Sequence, residues 1–228
     1  MARRNTYQLV ADAIATAIQQ GRLVTGDQLP SERELTLAYR VGRSTVREAV
    51  RVLESQGLVA PDTRGGFQVG TTGRALTQAL RLLVELDQVE ISDLFAVRRT
   101  LEVESAGLAA ARRSDSDLVR LETDLEEMEA GLDLAERYNA GDLAFHLDLA
   151  RASGNRLTAR LMESIREVMS RAFEIAFRVP GSARLSLAEH RAITAAVEAR
   201  DPALAQARMG LHLSRVELDT IRAGRVKG

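Results

Sequence analysis

The chain has no cysteine. That excludes a disulfide framework and any thiolate metal site, and it predicts a protein of a reducing compartment, the cytoplasm. Tryptophan is also absent, aromatics make up only 4% and there are four prolines. A β-sandwich needs more of the large β-forming residues, so an Ala/Leu-packed, mainly α protein is expected. No apolar run approaches the roughly 18–20 residues of a membrane span. The opening MARRNTYQ puts no apolar core behind its basic residues, so no secretory leader is expected either. Lysine is nearly missing: 30 of the 31 basic residues are arginine. Neither sign of charge is in excess, with a net charge of −1, so overall charge neither supports nor excludes a polyanionic partner.

What is present is length enough for two domains, at 228 residues. Residues 1–72 carry nine arginines against seven carboxylates, and the remainder 22 basic against 25 acidic residues. That asymmetry has the sign of an N-terminal nucleic-acid binder but is small. Apolar spacing predicts a helix over Thr6–Gln20, with Leu9, Val10, Ala13, Ile14 and Ile18 on one face, stopped by Gly21. Ser31 with Glu34 three residues on is a capping-box pattern opening a short helix, Glu32–Tyr39. After a turn at Val41-Gly42, a helix over Arg43–Gln56 turns Val46, Ala49, Val50 and Leu53 inward. Leu58–Ala60 and Gly66–Val69 read as two short strands. Helix, helix, turn, helix and hairpin is the order of a winged helix-turn-helix.

A recognition helix enters the major groove with its N-terminal residues against base edges. Arg43 and Arg47, four apart, project from one face, and arginine can fork onto guanine O6 and N7. Ser44 and Thr45 suit phosphate or base contacts, and Arg33 can reach the backbone. At the hairpin tip, Gly65 lets the backbone approach a minor groove that Arg64 can enter. Taken singly, each of these residues also fits a solvated helix face; the arrangement as a whole is far more specific.

These residues resemble the winged-helix domain of GntR-family transcriptional regulators. The match runs through Gly26-Asp27, Leu29-Pro30-Ser31-Glu32-Arg33-Glu34-Leu35, Arg43-Ser44-Thr45-Val46-Arg47-Glu48-Ala49, Leu53, Gly57-Leu58 and Gly65-Gly66-Phe67. The resemblance implies operator contacts from Arg33, Arg43, Thr45, Arg47 and Gly65. Gly42 departs from the usual Ser or Thr, and Arg40 from the usual small turn residue.

A polar break at Thr71-Thr72-Gly73 sets the expected boundary, with domains over 1–72 and 73–228. Beyond it about seven helices are expected, among them Ile91–Arg113, Ser114–Ala130, Asp142–Ala152, Asn155–Phe177, Ser182–Arg200 and Asp201–Arg222. All three histidines of the chain, His146, His190 and His212, fall in this all-α bundle. Each lines up with apolar residues three or four away and so points inward. An inward histidine is more often a hydrogen-bonded core residue than a ligand. Three of them with Asp142 one turn from His146 would nonetheless suit Zn²⁺ first, or Ni²⁺, Mn²⁺ or Fe²⁺. Arg98 faces the same side as Leu94 and Leu101, and burial requires a partner: a ligand carboxylate or Glu102. Arg99 is the neighbouring, more exposed alternative. Asn155 either lines a pocket or caps the helix it begins.

Asp142, His146, Ser153-Gly154-Asn155, His190 and His212, with Arg98, Glu102 and Leu108-Ala109-Ala110, resemble the FCD effector domain of the FadR subfamily of GntR regulators. The resemblance implies a homodimer, a divalent metal held by Asp142, His146, His190 and His212, and a small carboxylate effector at the metal. The ligand set argues against an acyl-CoA effector. The reading is therefore a non-enzymatic, ligand-responsive DNA-binding regulator, a repressor by expectation, with operator DNA and an organic or sugar acid as partners. Its rivals are a regulator that senses the metal itself, a metalloenzyme fused to a DNA-binding domain, and a purely structural histidine cluster.

Overall fold

The structure, a computed structural model, describes residues 5–63, 65–70, 72–86 and 89–225, without the side chains of 72, 74, 75, 170–173 and 225. The described residues form ten helices and one two-stranded sheet, and the chain divides into two compact units, Met1–Ala79 and Leu80–Gly228.

In the first unit α1 (Thr6–Gln19) buries Val10, Ala11 and Ile14. Leu9, expected on that face, is 53% exposed, and Ala11 packs inward instead. The buried stripe is thus turned by about half a step from the spacing read along the chain. The helix α2 (Glu32–Tyr39) opens with the full capping box: Ser31 Oγ accepts from the Glu34 amide, and Glu34 Oε2 accepts from the Ser31 amide at 2.8 Å. Those two bonds satisfy amides that a helix start otherwise leaves orphaned. The Ser31 hydroxyl, which donates to Glu34 Oε2 at 2.7 Å, and then the Ser31 amide hold the Glu34 carboxyl below its usual range. Arg40 ends α2 in the left-handed region, at φ 53°, and α3 (Arg43–Ser55) follows.

Val46, Ala49, Val50 and Leu53 of α3 are all buried, as their spacing predicts. They pack with Val10, Ile14, Leu29 and Leu35 into the core of this unit. The strands β1 (Val59–Pro61) and β2 (Phe67–Val69) pair antiparallel with Val59 opposite Val69. A single bridge from Gln28 to Gln68 ties the segment before α2 to this hairpin.

Seven helices follow: α4 (Thr72–Leu86), α5 (Ile91–Arg112), α6 (Asp115–Ala130), α7 (Ala135–Ala152), α8 (Arg156–Phe177), α9 (Ser182–Glu198) and α10 (Pro202–Arg225). The division between the units falls inside α4, past the polar break at which the sequence suggests a boundary. Within the second unit α5 runs against α10 and α7, α6 against α7 and α9, and α9 against α10. Phe145, Leu149, Ile193, Met209 and Leu213 form the centre of its main core.

The helix α7 starts at Ala135, a full two turns before the expected Asp142. Gly141 is therefore inside a helix, where glycine is normally unfavourable. A Cβ there would lie 2.9 Å from the Met128 amide nitrogen and 3.0 Å from the Asp124 carbonyl of α6. Close helix approach explains the residue. No helix among the described residues is long and apolar enough to cross a membrane.

Candidate functional site

On the first unit, Arg33, Arg43, Ser44 and Arg47 are exposed and Thr45 is half-buried. The inward stripe of α3 fixes this: with Val46, Ala49, Val50 and Leu53 in the core, Arg43 and Arg47 have to face solvent together. Gly42 is the N-cap of α3, at φ −72°, and supplies no side-chain cap. Gly65 is exposed at the hairpin tip with φ +84°, a conformation that glycine adopts without steric cost. Arg64, proposed for the minor groove, lies outside the described residues.

In the second unit the three histidines come from three helices, His146 on α7, His190 on α9 and His212 on α10. They are 3%, 0% and 1% exposed. Ring centroids of His190 and His212 stand 4.4 Å apart, and those of His146 and His190 5.0 Å apart. One ring nitrogen from each falls within 4.8 Å of the others, and the Nε2 atoms of His146 and His190 are 3.2 Å apart.

The opposite edges of two of the rings are held from outside. His190 Nδ1 is 2.7 Å from the Ser186 carbonyl, and His212 Nδ1 is 2.8 Å from Glu189 Oε2. His146 Nδ1 is 2.5 Å from Glu102 Oε2, a contact whose angle falls short of a hydrogen bond. An acceptor at Nδ1 keeps the proton there and leaves Nε2 as the free donor atom. Burial, reinforced by the neighbouring imidazoles, pushes His190 well below the usual histidine range. Burial likewise lowers His212. Both shifts favour the neutral ring, which is the state that binds a cation.

Asp142 is also buried, and its Oδ1 is 3.7 Å from His190 Nε2. It stands just outside the tight three-histidine group. Three imidazole nitrogens with a nearby carboxylate fit a borderline divalent cation.

His146 and His212 line a small cavity together with Arg98, Asp142, Ser182, Ser186 and Tyr138. It has room for about a water or two rather than an organic acid. Arg98, 1% exposed, forks onto Glu102, with Nε 2.5 Å from Oε1 and Nη2 3.3 Å from Oε2. Of the two partners open to Arg98, the internal one is engaged. Burial alone would raise the Glu102 carboxyl, but Arg98 and His146 outweigh it and hold it well below the usual range. Arg99 turns away to Ser214 and Glu217 of α10. Asn155 is exposed and caps α8, its Oδ1 accepting from the Leu157 and Thr158 amides at 3.2 Å. It is not among the residues that line this cavity.

Residues not singled out along the chain complete the centre. Arg215 donates to both oxygens of Glu189 at 2.7 Å, to Asp219 at 2.7 Å, and to the hydroxyls of Ser186 and Ser182 at 2.5 and 3.1 Å. It thereby ties the support of His212 to the cavity wall. Ser182, Ser186 and His190 recur every four residues on one face of α9, and that spacing is the signal that could have found them.

A winged-helix unit with a basic recognition helix, joined to an all-α unit with a buried polar centre, defines a DNA-binding transcriptional regulator carrying a separate helical domain. Family models give it a name: residues 6–69 match the bacterial regulatory proteins of the gntR family, and residues 93–215 match the FCD domain. The chain belongs to the GntR family, with an FCD domain as its second half. It is 36% identical to the HTH-type transcriptional regulator LutR of Bacillus subtilis strain 168, over 88% of this chain and 94% of that protein. It is 32% identical to the Glc operon transcriptional activator of Escherichia coli K12, over 73% of this chain and 68% of that protein. Among solved structures it resembles Streptococcus agalactiae GntR with a TM-score of 0.73 and 29% identity, over 92% of this chain and 98% of that one.

Proposed function

We propose that this GntR-family regulator is a homodimer whose affinity for its operator is set by a small carboxylate bound at a divalent cation, with repression relieved by the ligand. The cation is held by His146, His190 and His212, with Asp142 as the fourth donor, and Zn²⁺ is the first candidate. When bound, it supplies a positive point charge on which a carboxylate oxygen can sit. Arg98 and the Ser182 and Ser186 hydroxyls orient the rest of the acid. The observation that carries the reading is the convergence of the three histidines, with the Nδ1 edges of His190 and His212 held from behind.

The cavity is smaller than such a ligand, so its walls have to move to admit one. The Tyr138 hydroxyl, which donates to the Ala183 carbonyl at 2.9 Å across the α7–α9 side, is the bond to give way. A ligand that binds the opened bundle better shifts the population toward it, and this differential affinity is what couples the cavity to DNA binding. We place the domain boundary at residues 72 and 73, at the start of α4. In the dimer, a groove lined by Leu80, Leu83, Val84, Leu94, Val97 and Ile165 is covered by a second copy; Leu83 and Val97 are about half exposed in the single chain. Two recognition helices then read half-sites about 34–36 Å apart, through Arg33, Arg43, Ser44, Thr45, Arg47, Gly65 and Arg64.

The test is operator binding by the full chain, chelated or loaded with Zn²⁺, titrated with carboxylates of increasing size from glycolate to gluconate. Release of DNA by one acid in the loaded protein alone is expected. A protein that takes up no divalent ion would overturn the reading. A second reading, in which the cation is itself the signal, is favoured by the small cavity; operator affinity that follows the cation and ignores every acid would select it.

A further inference from the structure

Arg47 is not a loose surface arginine. Its Nε lies 3.0 Å from Glu32 Oε1 and 3.1 Å from Glu32 Oε2, so one carboxylate straddles one nitrogen. The terminal nitrogens Nη1 and Nη2 have no hydrogen-bond partner among the described residues. Glu32 is the first residue of α2, where the neighbouring capping box fixes the backbone, and its carbonyl accepts from Thr36 Oγ1 at 2.7 Å. The carboxylate is therefore presented to α3 from a rigid support. With the Arg47 side chain 64% exposed and that of Glu32 37% exposed, the pair adds little to stability. Folding alone does not account for it.

We propose that Glu32 is a positioning residue that sets the sequence specificity of Arg47. An arginine can fork onto guanine O6 and N7 end-on, through Nη1 and Nη2, or side-on, through Nε and one terminal nitrogen. With Nε engaged by Glu32, only the end-on fork is open. The guanidinium is also held in one orientation before DNA arrives, so less side-chain freedom is lost on binding. In addition, a guanidinium paired with a carboxylate is a weaker partner for phosphates, whose attraction carries no sequence information. Glu32 thus suppresses the non-specific contacts of Arg47 while leaving its base-reading edge intact.

The proposal rests on Arg47 reading a base, and the experiment separates the two claims. An operator is first selected by the wild-type full-length chain from a random-sequence duplex pool. Affinities of wild type, Glu32→Gln, Arg47→Ala and the double variant are then measured on that operator, on each single base-pair variant of it, and on an unrelated duplex at several salt concentrations. The thermal midpoint of each protein is recorded alongside. Glu32→Gln is expected to bind the unrelated duplex more tightly, with a salt slope steeper by about 0.9, the value of one more phosphate contact. Its discrimination at one base pair of each half-site falls by roughly 5-fold or more. Arg47→Ala loses discrimination at the same base pair, and adding Glu32→Gln to it changes discrimination no further. Unchanged discrimination in Glu32→Gln, where Arg47→Ala has lost it, overturns the positioning role and leaves Arg47 as a reader. A uniform loss of affinity across all duplexes marks a structural role and overturns it too. Full discrimination retained by Arg47→Ala removes the reading on which the proposal stands.

Discussion

Asp124 is a buried carboxylate whose Oδ2 has no hydrogen-bond partner among the described residues. Burial first, and the carboxylate of Asp148 second, push it up to about 7, against the pull of Arg166, Arg151 and Arg120. In the unfolded chain an aspartate titrates near 4, so between about pH 4 and 7 the folded state keeps a proton that the unfolded state has released. The stability tied to Asp124 is therefore complete below about pH 4 and is lost as pH rises toward 7. In chelated protein, urea unfolding of wild type and Asp124→Asn at pH 5 and pH 8 should show wild type losing stability relative to the variant at the higher pH. Parallel pH profiles would show that Asp124 ionises alike in both states. Glu189 works at the same scale. It holds Nδ1 of His212 and anchors Arg215, and removing such a support typically costs about 10–100-fold in metal affinity. Glu189→Ala is expected to lose Zn²⁺ affinity by that factor in competition with a chromophoric chelator, with an unchanged circular dichroism spectrum. Wild-type affinity in that variant would show that His212 needs no such support.

Two glycines, one capping a helix and one inside a helix, make opposite predictions at the scale of the element. Gly42 caps α3 at an ordinary φ, and a Cβ there would meet only Ser44 Oγ, at 3.8 Å. Gly42→Ser should therefore stabilise the first unit by a few tenths of a kcal/mol. Gly141→Ala forces a methyl against the backbone of α6 and should cost about 1–3 kcal/mol. Denaturant midpoints check both, and a tolerated Gly141→Ala would mean that α6 and α7 can part without loss. The same helices show what could be read along the chain. The α3 stripe and the Ser31–Glu34 box are local patterns of three and four residues, and local patterns survive into the fold. The start of α7 was not legible, because Gly141 looks like a helix breaker until α6 is beside it. The inward turn of the histidines followed from helical spacing. Their Nδ1 partners did not, since Glu102 meets His146 and Glu189 meets His212 only when separate helices pack. Asn155 caps α8, the role its place at the helix start favours, with Oδ1 accepting from the Leu157 and Thr158 amides.

For the whole molecule, the histidine centre draws together residues separated by 44 and then 22 positions along the chain. They sit on α7, α9 and α10. Through His212 a centre loaded with the proposed cation would clasp α10 to the body of its unit, and cation binding would become folding free energy for that segment. Hydrogen exchange should then show amides of α10 opening faster after chelation while those of α3 keep their rates. Equal rates in α10 with and without Zn²⁺ would mean that packing against α5 and α9 secures it without the cation. If the clasp holds, its reach extends past DNA binding: a helix that loosens when the cation is scarce offers a degradative protease a segment to cut. The abundance of the regulator in the cell would then rise and fall with the supply of the ion, on a slower clock than the ligand response.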